Sequence, residues 1–396
     1  MGGGQLYTRN KVNYLKRNGW KVCLYTGRSG KLYFDDLKDY KENYIPELNY
    51  LPFYFNRKTQ RRIIRQIING CEGAWNQVVI ESHKQPMAVW GELLASNING
   101  KHVFFDLDED FVYFESWYYR FLDFKHNRKE LAGINELSLE KMFKEYKKIS
   151  DEDNYHLLFP CTNTIENVDN PLIETAPNSD ICLGSISRLD KDYLIPMMEE
   201  IVSFCNQNKG KKITVFVVGD SKEKKFSKKL LDIGKEAENL KIILLGFLSP
   251  IPSLLIKKVD VFIGTAGSAV MTAEAGKVTI AVDTITCEPI GVIGINAQST
   301  TYSNGNLKWK KLSEYLSYIF FEKSVKYVES QIKCDQFMGI SVNGALDEHM
   351  LFLEASEKTK EYYTFDKLGI KYNVLYSLIQ TLGIKNSKKI KKLLRK

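Results

Sequence analysis

The chain has 396 residues, 44% apolar and 26% charged, the balance of an ordinary globular protein with room for two to three domains and a large core. No apolar run approaches the ~18–20 residues needed to span a membrane, and the polar start Met-Gly-Gly-Gly-Gln lacks the pattern of a secretory signal. The net charge is +8, but seven of those charges (Lys385, Lys388, Lys389, Lys391, Lys392, Arg395 and Lys396) lie in the last twelve residues without an acid; the body is near +1, which argues against a general nucleic-acid surface.

Seven cysteines and five histidines are scattered, without metal-ligand spacing. Reduced thiols in a cytoplasmic protein, and no metal, are expected. In chain order, Leu6 to Arg17 reads as a helix and Gly19 to Thr26 as a strand. A glycine turn entering a helix normally follows a strand in a doubly wound sheet. Here Gly2 to Gly4 has none before it, so a first strand is expected to be missing. Strand patterns recur at Gln77 to Glu81, His102 to Leu107 and His156 to Pro160. Helical patterns lie between them at Gln60 to Ile68, Met87 to Asn97 and Leu137 to Lys148. Asn163 to Asn178, rich in Asn, Thr and Pro, reads as a linker.

The same rhythm restarts beyond it. Strands are expected at Asp180 to Gly184, Ile213 to Val218 and Lys241 to Leu245, with helices at Asp192 to Asn206 and Lys222 to Ala237. Val261 to Ile263 is then a short apolar strand, Gly264 to Ser268 a small-residue turn, Val270 to Ala275 a helix and Val278 to Val282 a strand. A strand, a glycine turn and a helix N-terminus offer free N–H groups and a positive dipole end to a phosphate. Glu274 lies further along that helix, where a carboxylate can accept from ribose hydroxyls. From Leu312 onward the pattern is mostly helical, through Leu346 to Lys360 and Tyr372 to Leu382. The expected architecture is α/β, with two Rossmann-like domains (1–170 and 171–345) facing across a cleft, then C-terminal helices and a basic tail over 346–396. Ligands should bind at the carboxyl ends of the strands.

Four segments of the second half also resemble a known family. Gly184-Ser-Ile-Ser-Arg188-Leu-Asp-Lys191 is similar to the glycine–arginine–leucine–lysine turn of retaining GT-B glycosyltransferases. Val217-Val-Gly219-Asp220 is similar to their next strand end, and Leu244-Leu-Gly246-Phe247 to the loop that touches the nucleotide base. Ala266 to Asp283 resembles the helix and strand after their paired-glutamate motif. The family is the family 4 type of sugar-nucleotide-dependent transferases, which build lipopolysaccharide, capsule and related polymers of the bacterial surface. The resemblance covers Asp180 to Gly291 well, and the first half more loosely through Gly3-Gly4 and Glu81-Ser82-His83.

The resemblance implies a set of roles. Arg188 and Lys191 would neutralise the donor diphosphate as the glycosidic bond breaks. Backbone at Gly246 would contact the base, and Ser268 and Ala269 the phosphate. Glu274 would bind ribose. Gly3 and Gly4 would allow close backbone approach from the first domain, and His83 would face the donor sugar. Two departures stand out: Ala266 occupies the place of the family's first glutamate, and Lys191 follows Arg188 by three positions rather than about five. Retention or inversion of configuration stays open.

Other residues carry two readings. Glu288, beyond the Val278 to Val282 strand, is a turn residue or a sugar or acceptor contact. Asp106, Asp108, Glu109 and Asp110 form a solvated loop or supply a general base. The aromatics of Phe111 to Phe124 pack a core or stack on sugars. The tail, with Ile390, Leu393 and Leu394 among its lysines, is solvated or drawn to anionic lipid. The resulting expectation is a metal-independent hexosyltransferase at the cytoplasmic face of a bacterial membrane. It would move a sugar from a UDP- or GDP-type donor to a lipid-linked or polysaccharide acceptor, without another cofactor. A GT-B nucleotide-sugar epimerase and a non-catalytic partner of the same fold are the alternatives.

Overall fold

The computed structural model describes residues 3–27, 34, 37–38, 43–71, 73, 76–107, 116–134, 136–143, 158, 163–221, 223–297, 299–301, 303, 311–332, 342–356, 360–365, 368 and 370–383. The chain divides into two compact units. One comprises Lys11–Pro160 and Ala345–Lys396, the other Met1–Asn10 and Cys161–Gly344. The C-terminal helices thus return to the first half instead of standing apart, and the first ten residues group with the second.

The unit built on Cys161–Gly344 holds a six-stranded sheet. Its strands are β5 (Ile181–Ile186), β6 (Ile213–Val218), β7 (Leu240–Gly246), β9 (Val261–Gly264), β10 (Val278–Val282) and β11 (Pro289–Val292), in the order β11-β10-β9-β5-β6-β7. All neighbours are parallel except the β10–β11 hairpin. A small parallel pair joins β4 (Ile165–Glu166) to β8 (Ile251–Pro252).

All six residues of β6 are buried, as a central parallel strand requires. They alternate between two cores. Ile213, Val215 and Val217 join the core beneath α7 (Leu194–Gln207) and α8 (Lys224–Gly234), while Phe216 and Val218 join the one beneath α9 (Ser253–Lys258). The α7 side contributes Met197, Met198, Ile201, Val202 and Cys205 at helical spacing.

The other unit carries a parallel three-stranded sheet, β1 (Val79–Ser82), β2 (Lys101–Phe105) and β3 (Leu131–Ala132), in that order. The helix α3 (Gln85–Ile98) joins β1 to β2. The helix α2 (Arg57–Asn69) starts at Asn56, whose Oδ1 accepts from the Thr59 N–H at 2.9 Å. It buries Ile63, Ile64 and Ile67 against Trp90 and Leu94. Residues 20–26 form no ladder strand, in contrast to expectation: they pair only through an isolated bridge from Thr26 to Tyr44. Of the expected His156 to Pro160 strand only Leu158 is described, and it is not a strand residue; Asp108 to Asp110, Phe111, Tyr113, Phe114 and the lysine tail lie outside the described residues, whereas Trp117, Tyr118, Tyr119 and Phe121 of α4 (Ser116–Asn127) are buried and form the aromatic core with Phe53, Phe365 and Tyr376.

A buried polar network explains why the C-terminal segment joins this unit. Lys125 Nζ donates to Glu92 Oε2 at 2.9 Å, to Glu130 Oε2 at 2.6 Å and to the His102 carbonyl at 2.7 Å, which satisfies all three of its protons. Glu92 Oε2 also accepts from His102 Nδ1 at 2.8 Å, and its Oε1 accepts from the Tyr363 N–H at 2.8 Å. Burial works to raise the Glu92 pKa, but His102, Lys125 and the Tyr363 amide bring it down to about 2. The carboxylate is therefore charged, His102 donates to it from Nδ1, and His102 Nε2 accepts from the Ser82 hydroxyl at 2.8 Å. Burial, then the Lys125 charge, push His102 down to about 4 against the opposing pull of Glu92. The returning chain adds Lys101 Nζ to the Leu353 carbonyl at 2.8 Å, Tyr362 Oη to the Gly100 carbonyl at 2.9 Å and Trp117 Nε1 to Tyr376 Oη at 3.2 Å.

Candidate functional site

The six-stranded sheet reverses its winding between β5 and β9. From β5 the chain steps outward to β6 and β7, then returns to the other side of β5 and continues through β9 and β10. In open parallel sheets, such a switch point opens a crevice at the carboxyl ends of the strands. The loop after β5 and the start of α10 (Ala266–Glu274) flank this one.

The loop after β5 carries Arg188 and Lys191. It is held against the end of β6 by Ser187 N–H to the Val218 carbonyl at 2.9 Å and Leu189 N–H to the Asp220 carbonyl at 3.3 Å. Arg188 is exposed, and its Nε meets Asp190 Oδ1 at 3.4 Å. A surface pair of this kind is worth little, so the guanidinium can exchange it for a ligand anion. Gly219 makes the loop possible. Its φ is 141°, and a Cβ there would overlap the Ser187 carbonyl. The Gly219 N–H donates to the Gly246 carbonyl at 2.7 Å, which ties together the ends of β6 and β7. Gly246 itself has φ 69° and faces open space.

On the other side of the switch, Thr265 is extended and Ala266 turns into α10 with φ 51°. The Thr300 carbonyl accepts both the Ala266 N–H at 2.8 Å and the Thr265 hydroxyl at 2.9 Å. No side chain caps α10. The Ser268 hydroxyl donates back to the Thr265 carbonyl at 3.1 Å, and Ala269 is buried against the sheet. The start of α10 therefore presents backbone donors and the positive end of the dipole at the crevice.

One strand further, Asp283 follows the end of β10. Its carboxylate is buried and accepts from the N–H groups of Ile285 at 2.7 Å, Thr286 at 2.8 Å and Ser303 at 2.5 Å. This fixes the turn that presents Glu288, whose carbonyl accepts the Asp283 N–H at 2.9 Å. Burial first, then the charges of Asp192 and Asp283, push the neighbouring Cys287 thiol up, so this turn and the loop after β5 share one electrostatic environment.

Arg188 and Lys191, after β5, and Ser268 and Ala269, in the first turn of α10, thus lie on the two elements that flank the switch point. Gly246 and Glu288 lie on the same edge of the sheet, after β7 and β10. Glu274 is the last residue of α10, eight positions from Ala266 and so about 12 Å along the axis at ~1.5 Å per residue. Burial pushes its carboxyl pKa up, as expected of a half-buried acid. Gly3 and Gly4 open the helix α1 (Gly3–Arg17), where the Gly4 carbonyl accepts the Thr8 hydroxyl at 2.8 Å.

His83 belongs to the three-stranded unit. It follows β1 and donates from Nδ1 to the Phe105 carbonyl at 3.1 Å, at the carboxyl edge of that sheet. Its Nε2 lies 3.4 Å from Glu81, which Lys11 also meets at 3.4 Å. Burial holds the ring below the usual histidine range, although Glu81 and the Phe105 bond work the other way. Asp106, at the end of β2, is buried. A cavity of about 560 Å³ opens at the opposite edge of this sheet, lined by Glu92, Lys125, Arg128 and Glu130 of the buried network.

Sequence reasoning missed Thr265, Asp283 and Thr300. Asp283 followed by Thr286 is a readable side-chain turn signal. Thr300 carries no local signal, because its role is a contact made across 34 positions of chain. Among the described residues no three His, Cys, Asp or Glu side chains gather as a metal set.

No known family profile matches the chain, and no curated protein matches its sequence. Solved structures do match by shape. A glycosyltransferase of Rickettsia africae aligns with a TM-score of 0.62 at 16% identity, over 90% of this chain and 96% of its own. Alr3699/HepE of Anabaena, in complex with UDP and glucose, aligns with 0.58 at 14% identity, over 89% and 96%. A protein of Listeria monocytogenes named for UDP-N-acetylglucosamine 2-epimerase activity aligns with 0.51 at 10% identity, over 91% and 96%. These likenesses and the two α/β units establish the fold as the two-domain, Rossmann-like GT-B type.

Proposed function

We propose that this chain is a nucleotide-sugar-dependent glycosyltransferase. The observation that carries the reading is the switch point between β5 and β9. A loop with Arg188 and Lys191 follows β5 there, and the uncapped start of α10 follows the adjacent β9. Such a site suits a diphosphate leaving group, because cations and fixed N–H dipoles stabilise the charge that grows as the sugar–oxygen bond breaks. These groups supply the charge without a metal. HepE, which was crystallised with UDP and glucose, supports a UDP-type donor and a hexose. His83 and Glu288 are the residues we assign to the donor sugar or acceptor. The acceptor we favour is a lipid-linked or polysaccharide glycan of the bacterial surface, glycosylated from the cytoplasmic side.

Epimerisation is the second reading, since the Listeria protein shares the fold. A non-catalytic partner is the third, motivated by Ala266. The test starts with thermal shift against UDP, GDP, ADP and CMP, since a ligand that binds only the native state raises the melting temperature. A shift for one nucleotide, lost in Arg188→Ala, is expected. Turnover of the matching labelled sugar nucleotide then separates the readings. Transfer to an acceptor extract is expected, whereas isomerised free donor indicates the epimerase. A well-folded chain that shifts with none of the four would overturn the transferase reading.

A further inference from the structure

Two cysteines distant in sequence meet in the three-stranded unit. Residues 20–26 run alongside the last turn of α2 and the residues after it, in the opposite direction. Tyr25 Oη donates to the Ile67 carbonyl at 3.0 Å and lies where a Cβ on Gly70 would overlap it. At the other end, Lys21 Nζ lies 3.3 Å from the place that a Cβ on Gly73 would take. Between these contacts the Cys71 thiol is hydrogen-bonded to that of Cys23 and to the Tyr25 hydroxyl. Lys21, Cys23 and Tyr25 thus share one face of their segment, at the period of two that extended chain gives. Both thiols are free and half-buried, so a small reagent can reach them. Among the described residues no third His, Cys, Asp or Glu joins them, so the pair lacks the ligand set that a zinc ion takes.

We propose that Cys23 and Cys71 are a dithiol pair that closes into a disulfide by exchange with a low-molecular-weight disulfide. The Cys23 thiolate attacks one sulfur of the reagent, whose S–S bond breaks and releases a first thiolate. The Cys71 thiolate then attacks Cys23 Sγ in this mixed disulfide and releases the second. The two protons given up by the cysteines pass to the two released thiolates. The cysteine pair is oxidised by two electrons and the reagent reduced by two. The order of attack follows from the surroundings of Cys71. Burial first, then Cys23, push its thiol up to about 12, while Tyr25 and Lys21 pull the other way. Cys71 is therefore the resolving sulfur, since the thiolate is the nucleophile. Once Cys23 carries the mixed disulfide, its thiol no longer adds to that shift, and Tyr25 and Lys21 still favour the Cys71 thiolate. The bond ties residues 20–26, whose one ladder contact among the described residues is the Thr26 to Tyr44 bridge, to the end of α2. It closes the chain between 23 and 71 and so constrains the unfolded state.

The test treats the full, reduced chain with oxidised glutathione under native conditions, blocks the remaining thiols by alkylation in denaturant, and maps the peptides without reduction. A Cys23–Cys71 cross-linked peptide is expected, with loss of these two thiols to alkylation and their return on addition of dithiothreitol. Cys71→Ser should abolish the cross-link and instead keep glutathione on Cys23, which traps the mixed disulfide. Circular dichroism checks the fold of that variant, and the wild-type map decides the matter should the variant not fold. Thiols of Cys23 and Cys71 that both stay open to alkylation, or that hold glutathione without the cross-link, would overturn the proposal. So would a native reaction giving the same mixture of cysteine pairings as one run in urea, because the contact seen here would not be directing it. The exchange uses neither nucleotide nor sugar, so its failure leaves the transferase reading untouched.

Discussion

The buried network around His102 makes folding stability depend on pH in a defined window. The native ring is held at about 4, against 6.5 for a free histidine. Between those values the unfolded chain takes up a proton that the native chain refuses, so stability falls as pH falls. The loss starts near 6.5 and is complete near 4. At ~1.4 kcal/mol per pH unit, the gap corresponds to about 3 kcal/mol. His83 is shifted in the same direction and adds to the loss. Glu92 acts in the next window. Its native pKa of about 2 lies below the ordinary 4.5, so its contribution is present above 4.5 and disappears as pH falls toward 2.

The perturbation is His102→Asn, which keeps a donor for Glu92 and removes the titrating group. It lowers stability at neutral pH by leaving space beside Gly91 and Ser82, so the informative quantity is the slope, not the level. Urea denaturation at several pH values between 4.5 and 6.5 should show wild-type stability dropping faster than that of the variant. The accumulated difference should be of the order of 2–3 kcal/mol. Parallel curves for the two proteins would refute the assignment of a neutral, buried His102 bonded to a charged Glu92.

Two further outcomes are expected. Gly219→Ala forces a Cβ into the Ser187 carbonyl at a φ that non-glycine residues avoid, at a cost of roughly 1–3 kcal/mol or more; urea denaturation should register that loss, and the displaced Arg188 loop should weaken nucleotide binding, whereas wild-type stability and affinity would mean that the loop does not approach as described. Glu274→Gln should weaken nucleotide binding on the order of tenfold, as expected where a carboxylate at the end of α10 accepts from ribose hydroxyls and a charged hydrogen bond is worth about 1.5–3 kcal/mol; a change of less than about twofold in calorimetry would remove that role.

How much of this was legible in the sequence depended on the range of the interaction. The strands β6 and β10 have the predicted limits, and β5, β7 and β9 differ from theirs by one or two residues. A central parallel strand is an unbroken apolar run bounded by polar turns, a purely local signature. Residues 20–26 have the same signature without the same outcome, because a strand also needs a neighbour and only Thr26 finds one. The return of the last helices to the first unit was not legible. It rests on Glu92 meeting Tyr363 N–H and on Trp117 meeting Tyr376, contacts across more than 250 positions. At the site, the turn after β5 and the start of α10 were readable as glycine and small-residue patterns. The Thr300 clasp was not. The end of α10 at Gly276, with φ 78°, was readable as a glycine stop, whereas its start at Ala266 lies four residues before the expected Val270.

That division of range also narrows which acid can act on a sugar. At the carboxyl edge of the six-stranded sheet, Asp190 is paired with Arg188, and Asp220 accepts the Ser221 N–H at 2.7 Å. Asp283 is saturated by three amides. Ala266 contributes no carboxylate where the resembled family has one. The carboxylates of Glu288 and the exposed Asp192 remain, without a hydrogen-bond partner among the described residues. A carboxylate next to a bound diphosphate is opposed by like charge, so one that stays in such a site must face neutral hydroxyls instead. Asp192 lies on the loop that would hold the phosphates and is well solvated there. Glu288 sits on the turn between β10 and β11, half-buried and fixed by the Asp283 cage. On the transferase reading we propose Glu288 as the acid of this edge that meets a sugar or acceptor hydroxyl, the work that a glutamate at position 266 would otherwise do.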